Sequence, residues 1–373
     1  MRPAAKGDER PGRIAILGSR GIPARYGGFE TFAERLAIGL AQRGHQVTVY
    51  AEGEGADESY RGVTVRYISS PEWGAFGTIA YDVFSLWDAR RGHDVVYMLG
   101  YGAAFACAVP RWFGSTVWIN IDGLEWRRSK WSWVARTYLR CMEWIASMAA
   151  DVVVADARAI AMHYEQAYPA GAPCVFIPYG ADSPSPLKSG RDVLTSLALS
   201  DTSYDLLIAR LEPENHVLPV IQAHACLNSD IALVIVGDHT CDTPYVRELL
   251  RQVHPRILWL GAIFDHDLLG ALRTHCRIYL HGHSVGGTNP SLLEAMAAGC
   301  AVIAHNNPFN QEVLSDAGLY FSDSSELTTV LNGVDGLDLP RFRVVARKRV
   351  ADVYSWDAVI NQYEPLLQKA AML

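Results

Sequence analysis

Close cysteine pairs are missing from this chain of 373 residues: its seven cysteines (Cys107, Cys141, Cys174, Cys226, Cys241, Cys276 and Cys300) are far apart, odd in number and without a CxxC spacing. Neither a disulfide framework nor a zinc site is suggested, and the thiols read as buried groups in a reducing compartment. No apolar run is long enough to span a bilayer. The first dozen residues hold charges and prolines where a signal peptide needs an apolar core, so a cytoplasmic location is expected. A basic excess is absent too, with 33 Lys plus Arg against 40 Asp plus Glu and a net charge of −7. Residues 1–180 carry 19 cations and 18 carboxylates, which leaves 14 and 22 beyond, so the two halves stand near +1 and −8. Nucleic acid is disfavoured as the main partner, because phosphate-backbone binding runs on a Lys/Arg surplus. Any membrane contact needs a local basic patch.

What is present is the composition of a well-packed globular protein, 50% hydrophobic and 20% charged, in a chain long enough for two domains. Arg13 to Gly18 is an apolar run ending in glycine. Phe29, Phe32, Ala33, Leu36, Ala37 and Leu40 then recur at helical spacing until Gly44, and Gln46 to Tyr50 forms a second strand. Strand-like runs follow at 94–99, 116–121 and 151–155. After a turn-rich stretch near 183–190 the alternation resumes at 204–209, 231–237, 257–260, 278–280 and 300–304. Two doubly wound α/β domains are implied, with ligands expected at the carboxyl ends of the strands in a cleft between them. The boundaries predicted are 1–182 for the first domain, 183–203 for a linker, 204–353 for the second domain and 354–373 for a last helix.

The most informative stretch is His281-Gly-His-Ser-Val-Gly-Gly-Thr-Asn-Pro-Ser-Leu-Leu-Glu294. A glycine-rich turn opening onto a helix leaves backbone N–H groups aimed outward in a positive dipole field, which is a diphosphate seat. A carboxylate further along, Glu294, suits sugar hydroxyls rather than phosphate. Phosphate and sugar together mean a nucleotide. In the first half, Gly18-Ser-Arg-Gly21 and Gly27-Gly28 lie between a strand and a helix, where Arg20 and Arg25 supply countercharge; the plainer alternative is a tight turn. A dinucleotide site is weaker still, because the spacing is not G-x-G-x-x-G even though Glu52 lies near the expected distance.

These blocks, Gly27-Gly28-Phe-Glu30, Gly237-Asp238 and Gly287 to Glu294 in this order, resemble the retaining nucleotide-sugar glycosyltransferases of family 4, which have the GT-B fold. The similarity is strongest to a bacterial subgroup with a G-x-R-G-I-P-A-x-Y-G-G-F-E block, which includes rhamnosyltransferases of polysaccharide assembly, and it spans roughly residues 13–367. The resemblance implies a donor site in the second domain, without metal or other cofactor. The family's ribose-binding carboxylate falls on Glu294, while the other carboxylate of that motif falls on Gly286. Gly287, Thr288 and Asn289 are then left to hold diphosphate and sugar, with His283 nearby. The family's basic pair falls on Arg210 and Asn215, so only the arginine survives as phosphate countercharge; a surface ion pair with Glu212 or Glu214 is its alternative. Ile263 and Phe264 are expected beside the nucleotide base and Gly237 beside the donor. Asp122, where relatives carry histidine, is the candidate on the reacting side, either as base or as hydrogen-bond acceptor, with a loop cap as the alternative and Glu125 as a second candidate.

The activity implied is transfer of a sugar, L-rhamnose from dTDP-L-rhamnose by subgroup resemblance, to a saccharide or lipid-linked acceptor in envelope, capsular or exopolysaccharide synthesis. A sugar-nucleotide epimerase and a sugar-nucleotide-binding protein with little transferase activity are the rivals. Asp265-His-Asp267 precedes an apolar helix, so it reads as an N-cap with a first-turn carboxylate rather than a metal motif. Residues 127–144 mix five cations with three tryptophans, which fits either peripheral contact with an anionic membrane face or a core helix with a basic side. Trp356 opens the last helix and is expected to anchor it by packing.

Overall fold

The computed structural model describes residues 10–372 apart from 25–26, 72, 122, 129–130, 185–190, 200–201 and 253. The chain divides into two compact units, one running to Pro178 and including Trp356 onward, the other spanning Tyr179–Ser355.

The first unit is built on eight strands: β1 (Arg13–Leu17), β2 (Gln46–Glu52), β3 (Glu58–Tyr60), β4 (Val63–Ile68), β5 (Val95–Leu99), β6 (Thr116–Ile121), β7 (Val152–Ala155) and β8 (Cys174–Phe176). Their order is β3-β4-β2-β1-β5-β6-β7-β8, parallel throughout except that β3 runs against β4. All five side chains of β5 are buried, as a parallel strand covered on both faces requires. The expected helix forms over Gly27–Gln42 and buries Phe32, Ala33, Leu36, Ala37, Ile38 and Leu40. The short pair β3–β4 has weak apolar alternation and was not legible in the sequence.

The last helix, Trp356–Ala371, belongs to this first unit. It lies against the Gly27–Gln42 helix: a Cβ at Gly39 would stand 2.1 Å from the Ile360 side chain. Tyr363 is fully buried and its hydroxyl meets that of Tyr97 at 2.9 Å, which Asn120 also contacts at 3.1 Å. The ring of Trp356 is 6.2 Å from that of Phe32. Its role is packing.

The second unit has six parallel strands, β9 (Tyr204–Ile208), β10 (Ala232–Val236), β11 (Ile257–Gly261), β12 (Tyr279–His281), β13 (Val302–His305) and β14 (Gly318–Phe321), in the order β11-β10-β9-β12-β13-β14. The stretch set apart by composition as a linker, 183–203, falls within this unit. Its described part includes a helical turn at Arg191–Leu197, with Leu194 and Leu199 buried. Those two leucines supply the apolar anchor that the prolines and serines around them conceal. Asp205, buried in β9, is gripped by Arg277 through two hydrogen bonds of 2.9 and 2.8 Å, so its charge is compensated inside the sheet.

Candidate functional site

In the second unit the predicted donor residues converge because they follow consecutive strands. Arg210 comes after β9, Gly237 after β10, Ile263 and Phe264 after β11, and His283 after β12. Strand order reverses between β9 and β12, the switch point at which ligands of open α/β sheets bind. The loop after β12 runs to Asn289, which caps the helix Pro290–Ala298 by accepting the N–H of Ser291 at 3.0 Å. The N–H groups of Gly286 and Gly287 meet no acceptor among the described residues, while Thr288 is buried. Gly282 is forced by close approach, since a Cβ there would sit 2.0 Å from the Asn215 carbonyl. Gly237 is likewise pressed against the Ala209 carbonyl, at 2.5 Å from a built Cβ.

Glu294 lies on the helix and is held by a buried partner that sequence reasoning missed. Its Oε2 accepts from the Arg273 guanidinium. Burial works against the Arg273 charge, but the Glu294 carboxylate, with smaller contributions from Tyr279, Cys300 and Cys276, outweighs it and the pKa stands above the ordinary value. The Glu294 side chain keeps 36% exposure, so the pair is fixed on one side and open on the other. Phe264 is 63% exposed, which puts an aromatic ring at the surface after β11. Arg210 is mostly exposed and stands 3.7 Å from Glu212, a weak surface pair.

Asn215, counted with the donor-binding residues on the family resemblance, faces inward. It is buried, and its amide donates to the Arg210 carbonyl at 2.7 Å, closing the loop on which Arg210 sits. It acts on the site through that loop. The loop is also tied to the glycine turn: His216 Nδ1 lies 2.8 Å from the Gly282 carbonyl, and the Glu214 carbonyl accepts from Ser284 N–H and Oγ at 3.0 and 2.9 Å.

Around this turn lies a group of four imidazoles, His216, His281, His283 and His305. His216 stacks on His305 at 4.1 Å, and His281 on His283 at 4.6 Å. Burial, then the charge His216 carries when protonated, pulls the His305 pKa down to about 4. Burial likewise holds His281 well below the usual range. Both rings are neutral at pH 7 and offer N–H donors without formal charge. The H-x-H run at 281–283 was the available signal. Asp265 is an N-cap, accepting from the N–H groups of Asp267 and Leu268 at 2.9 and 3.1 Å.

In the first unit, two N–H groups of the glycine loop after β1 are taken by carboxylates of the helix that follows. The N–H of Arg20 points to Glu30 at 3.4 Å, and that of Ala24 to Glu34 at 2.6 Å. Gly27 has φ +73 and opens the helix with Gly28, and a Cβ on Gly27 would lie 2.7 Å from the Glu30 carboxylate. The loop borders a cavity of about 380 Å³ at the carboxyl ends of β1, β2 and β5, lined among others by Arg20, Glu30, Glu52, Tyr81, Asp82, Tyr101 and Glu125. Glu52 and Glu125 were weighed in the sequence; Asp82, from the helix Ala75–Asp88, was not. Burial, then the Glu52 charge, pushes the Asp82 carboxyl up to about 7. Asp122 and Arg25 lie outside the described residues.

Residues 204–333 match the protein family described as Glycosyl transferases group 1. The chain is a glycosyltransferase with the GT-B fold. Residues 12–182 of the enzyme match a family described as a domain of unknown function, DUF1972. A GDP-mannose-dependent alpha-(1-6)-phosphatidylinositol monomannoside mannosyltransferase of Mycobacterium tuberculosis is 25% identical, over 95% of this chain and 97% of its own length. Among solved structures, sucrose-phosphate synthase of Thermosynechococcus elongatus aligns with a TM-score of 0.77 at 19% identity, covering 95% of this chain and 98% of that one. Anabaena HepE in complex with UDP-glucose aligns with a TM-score of 0.75 at 20% identity, over 95% and 99%.

Proposed function

We propose that this enzyme moves a sugar, with retention of configuration, from a nucleoside-diphosphate donor to a saccharide or lipid-linked acceptor in envelope, capsular or exopolysaccharide synthesis. The glycine turn 282–289, opening a helix at the switch point of the six-stranded sheet with Glu294 behind it, is the observation that carries the proposal. The uncompensated N–H groups of Gly286 and Gly287, with Thr288, Asn289 and Arg210, take the diphosphate. Glu294, steadied by Arg273, accepts from the ribose hydroxyls, and Ile263 and Phe264 receive the base. His283 offers a ring nitrogen to the donor. The donor sugar assigned is L-rhamnose on dTDP, on the resemblance of the Gly18–Glu30 block to rhamnosyltransferases. The similar proteins named above use GDP-mannose or were solved with UDP-glucose, so the base and sugar are the points to test.

Same-face displacement is the chemistry proposed. The leaving diphosphate takes the acceptor proton while Asp122 holds the reacting side. The protein then contributes orientation and charge stabilisation. Peripheral membrane contact through 127–144 is part of the proposal. The helix Trp133–Ala149 presents Trp133 and Trp144, at 77% and 54% exposure, to solvent instead of to the core. The other exposed tryptophans among the described residues, Trp73, Trp87 and Trp112, are also in this unit, and Arg90 stacks on Trp87. Indole rings with interleaved guanidinium groups suit an anionic interface. No described helix is long and apolar enough to cross a membrane.

A thermal-shift panel of dTDP-L-rhamnose, GDP-mannose, UDP-glucose and UDP, followed by transfer assays with the best donor, tests the proposal. One donor should stabilise the protein and be consumed only when an acceptor is present, and NMR of the product should show the donor's anomeric configuration. Donor consumption without acceptor, giving an isomerised nucleotide sugar, would favour an epimerase.

A further inference from the structure

We infer that the cavity beside Asp82 is the binding site for an uncharged or amino-bearing saccharide, and that its carboxylates close it to phosphate-bearing sugars. The inference rests on the transferase reading in making that saccharide the acceptor. The binding claim itself comes from the cavity.

Its position is that of a ligand site. The chain leaves β1 towards β2 on one side and leaves β5 towards β6 on the other, so the crevice outside their carboxyl ends is the switch point of the eight-stranded sheet. The volume, about 380 Å³, lies within the small-molecule range of roughly 300–1,000 Å³. Gly18, with φ +85, keeps its floor open, because a Cβ there would stand 2.2 Å from the Leu99 carbonyl.

The chemistry of the lining selects the ligand. Asp82 is only 7% exposed, and neither of its oxygens receives a hydrogen bond from a described residue. A buried carboxyl without a donor is costly unless something else supplies one. Glu30 and Glu52 face the same space. Glu125 is balanced by Arg128 at 2.8 Å, so among the described lining residues Arg20 faces three carboxyls, Asp82, Glu30 and Glu52. Such a set accepts from hydroxyl or ammonium groups and repels phosphate. The rings are fixed rather than free to swing: Tyr81 donates to the Ser19 carbonyl at 3.0 Å, and the Tyr101 hydroxyl accepts the Glu125 N–H at 3.2 Å. Flat apolar surfaces beside acceptor groups match the alternating C–H and O–H faces of a pyranose. Glu30 and Glu34 take up the Arg20 and Ala24 N–H groups, which leaves the loop fewer donors for a phosphate.

The test is ligand-observed NMR on the full chain with methyl α-L-rhamnopyranoside, methyl α-D-glucopyranoside, D-glucosamine and D-glucose 6-phosphate, with UDP titrated separately. At least one glycoside or the amino sugar should bind, and glucose 6-phosphate should bind more than about tenfold more weakly. Asp82→Asn and Glu52→Gln should each weaken glycoside binding about fivefold or more, the loss of a charge-assisted hydrogen bond, without moving UDP affinity. Circular dichroism checks that both variants fold. Equal or tighter binding of glucose 6-phosphate overturns the inference. So does glycoside affinity unmoved in both variants, or no binding by any uncharged or amino sugar at high millimolar concentration. If UDP and every nucleotide sugar fail to bind while glycosides still respond to Asp82, the transferase reading falls and the pocket stands; the reverse pattern sinks the pocket alone.

Discussion

Replacing Asp82 with asparagine should raise the melting temperature at pH 8 and leave it unraised near pH 4. The Asp82 pKa climbs from 3.8 to about 7 on folding, chiefly through burial and then through the Glu52 charge. Folding therefore takes up a proton between those values, so stability falls as pH rises through that window and the full penalty is present above it. About 3 units at 1.36 kcal/mol each give roughly 4 kcal/mol. The amide of the variant is itself buried without a partner, which returns about 1–3 kcal/mol of that gain. A net stabilisation of about 1–3 kcal/mol remains, worth about 2–4 °C per kcal/mol in a unit of this size. Tyr81 and Cys107, both raised by burial first and also by the Asp82 charge, stay protonated across the range and do not blur the comparison. Scanning fluorimetry of both proteins from pH 4 to 8 reads the effect. An equal shift at every pH, or none at pH 8, would refute the account of Asp82 as an uncompensated buried carboxyl.

Glu294→Ala should weaken nucleotide binding by about one to two decades, the value of a charge-assisted hydrogen bond, measured by titration calorimetry. Arg273→Met leaves Glu294 in place but unsteadied, and should raise KM for the donor more than it lowers kcat; the opposite split in steady-state kinetics counts against a positioning role. Arg210→Ala should lower kcat with a modest change in donor affinity, because diphosphate charge grows as the glycosidic bond breaks, and equal kcat in both proteins would remove Arg210 from the chemistry. Tyr363→Ala should destabilise the first unit by about 3–5 kcal/mol, seen in denaturant unfolding, since it empties a fully buried site between the last helix and β5.

Much of this was legible because parallel sheets write themselves as short apolar runs bounded by glycine. β1, β2, β5, β6 and β7 were visible in that way, as were β9 to β13. What stayed hidden has physical reasons. The edge pair β3–β4 is half polar and pairs locally. The stretch 183–203 looked like a linker because two buried leucines among prolines and serines carry no periodicity. Nothing in the pattern around Arg273 marks it, and only the fold pairs it with Glu294. Asp82 sits in a helix of apolar residues, where one-dimensional pattern offers no sign that the carboxyl opens into a cavity.

The two glycine loops show how far a motif leads before charge placement decides. Both follow a strand and open a helix, and both read in the sequence as anion seats. In the second unit the N–H groups of Gly286 and Gly287 meet no acceptor among the described residues, and the Glu294 carboxylate is held by Arg273. In the first unit Glu30 and Glu34 accept from the N–H groups of Arg20 and Ala24, and Asp82 and Glu52 add negative charge beyond them. A phosphate arriving there would displace an internal carboxylate and meet two more. On this physics, the anionic part of a donor belongs to the second loop and a hydroxyl-bearing partner to the first. Glu34→Gln should then weaken the first loop's closure and not nucleotide binding, which calorimetry with UDP and hydrogen exchange at Ala24 would resolve; weaker UDP binding with an unchanged loop would reverse the assignment.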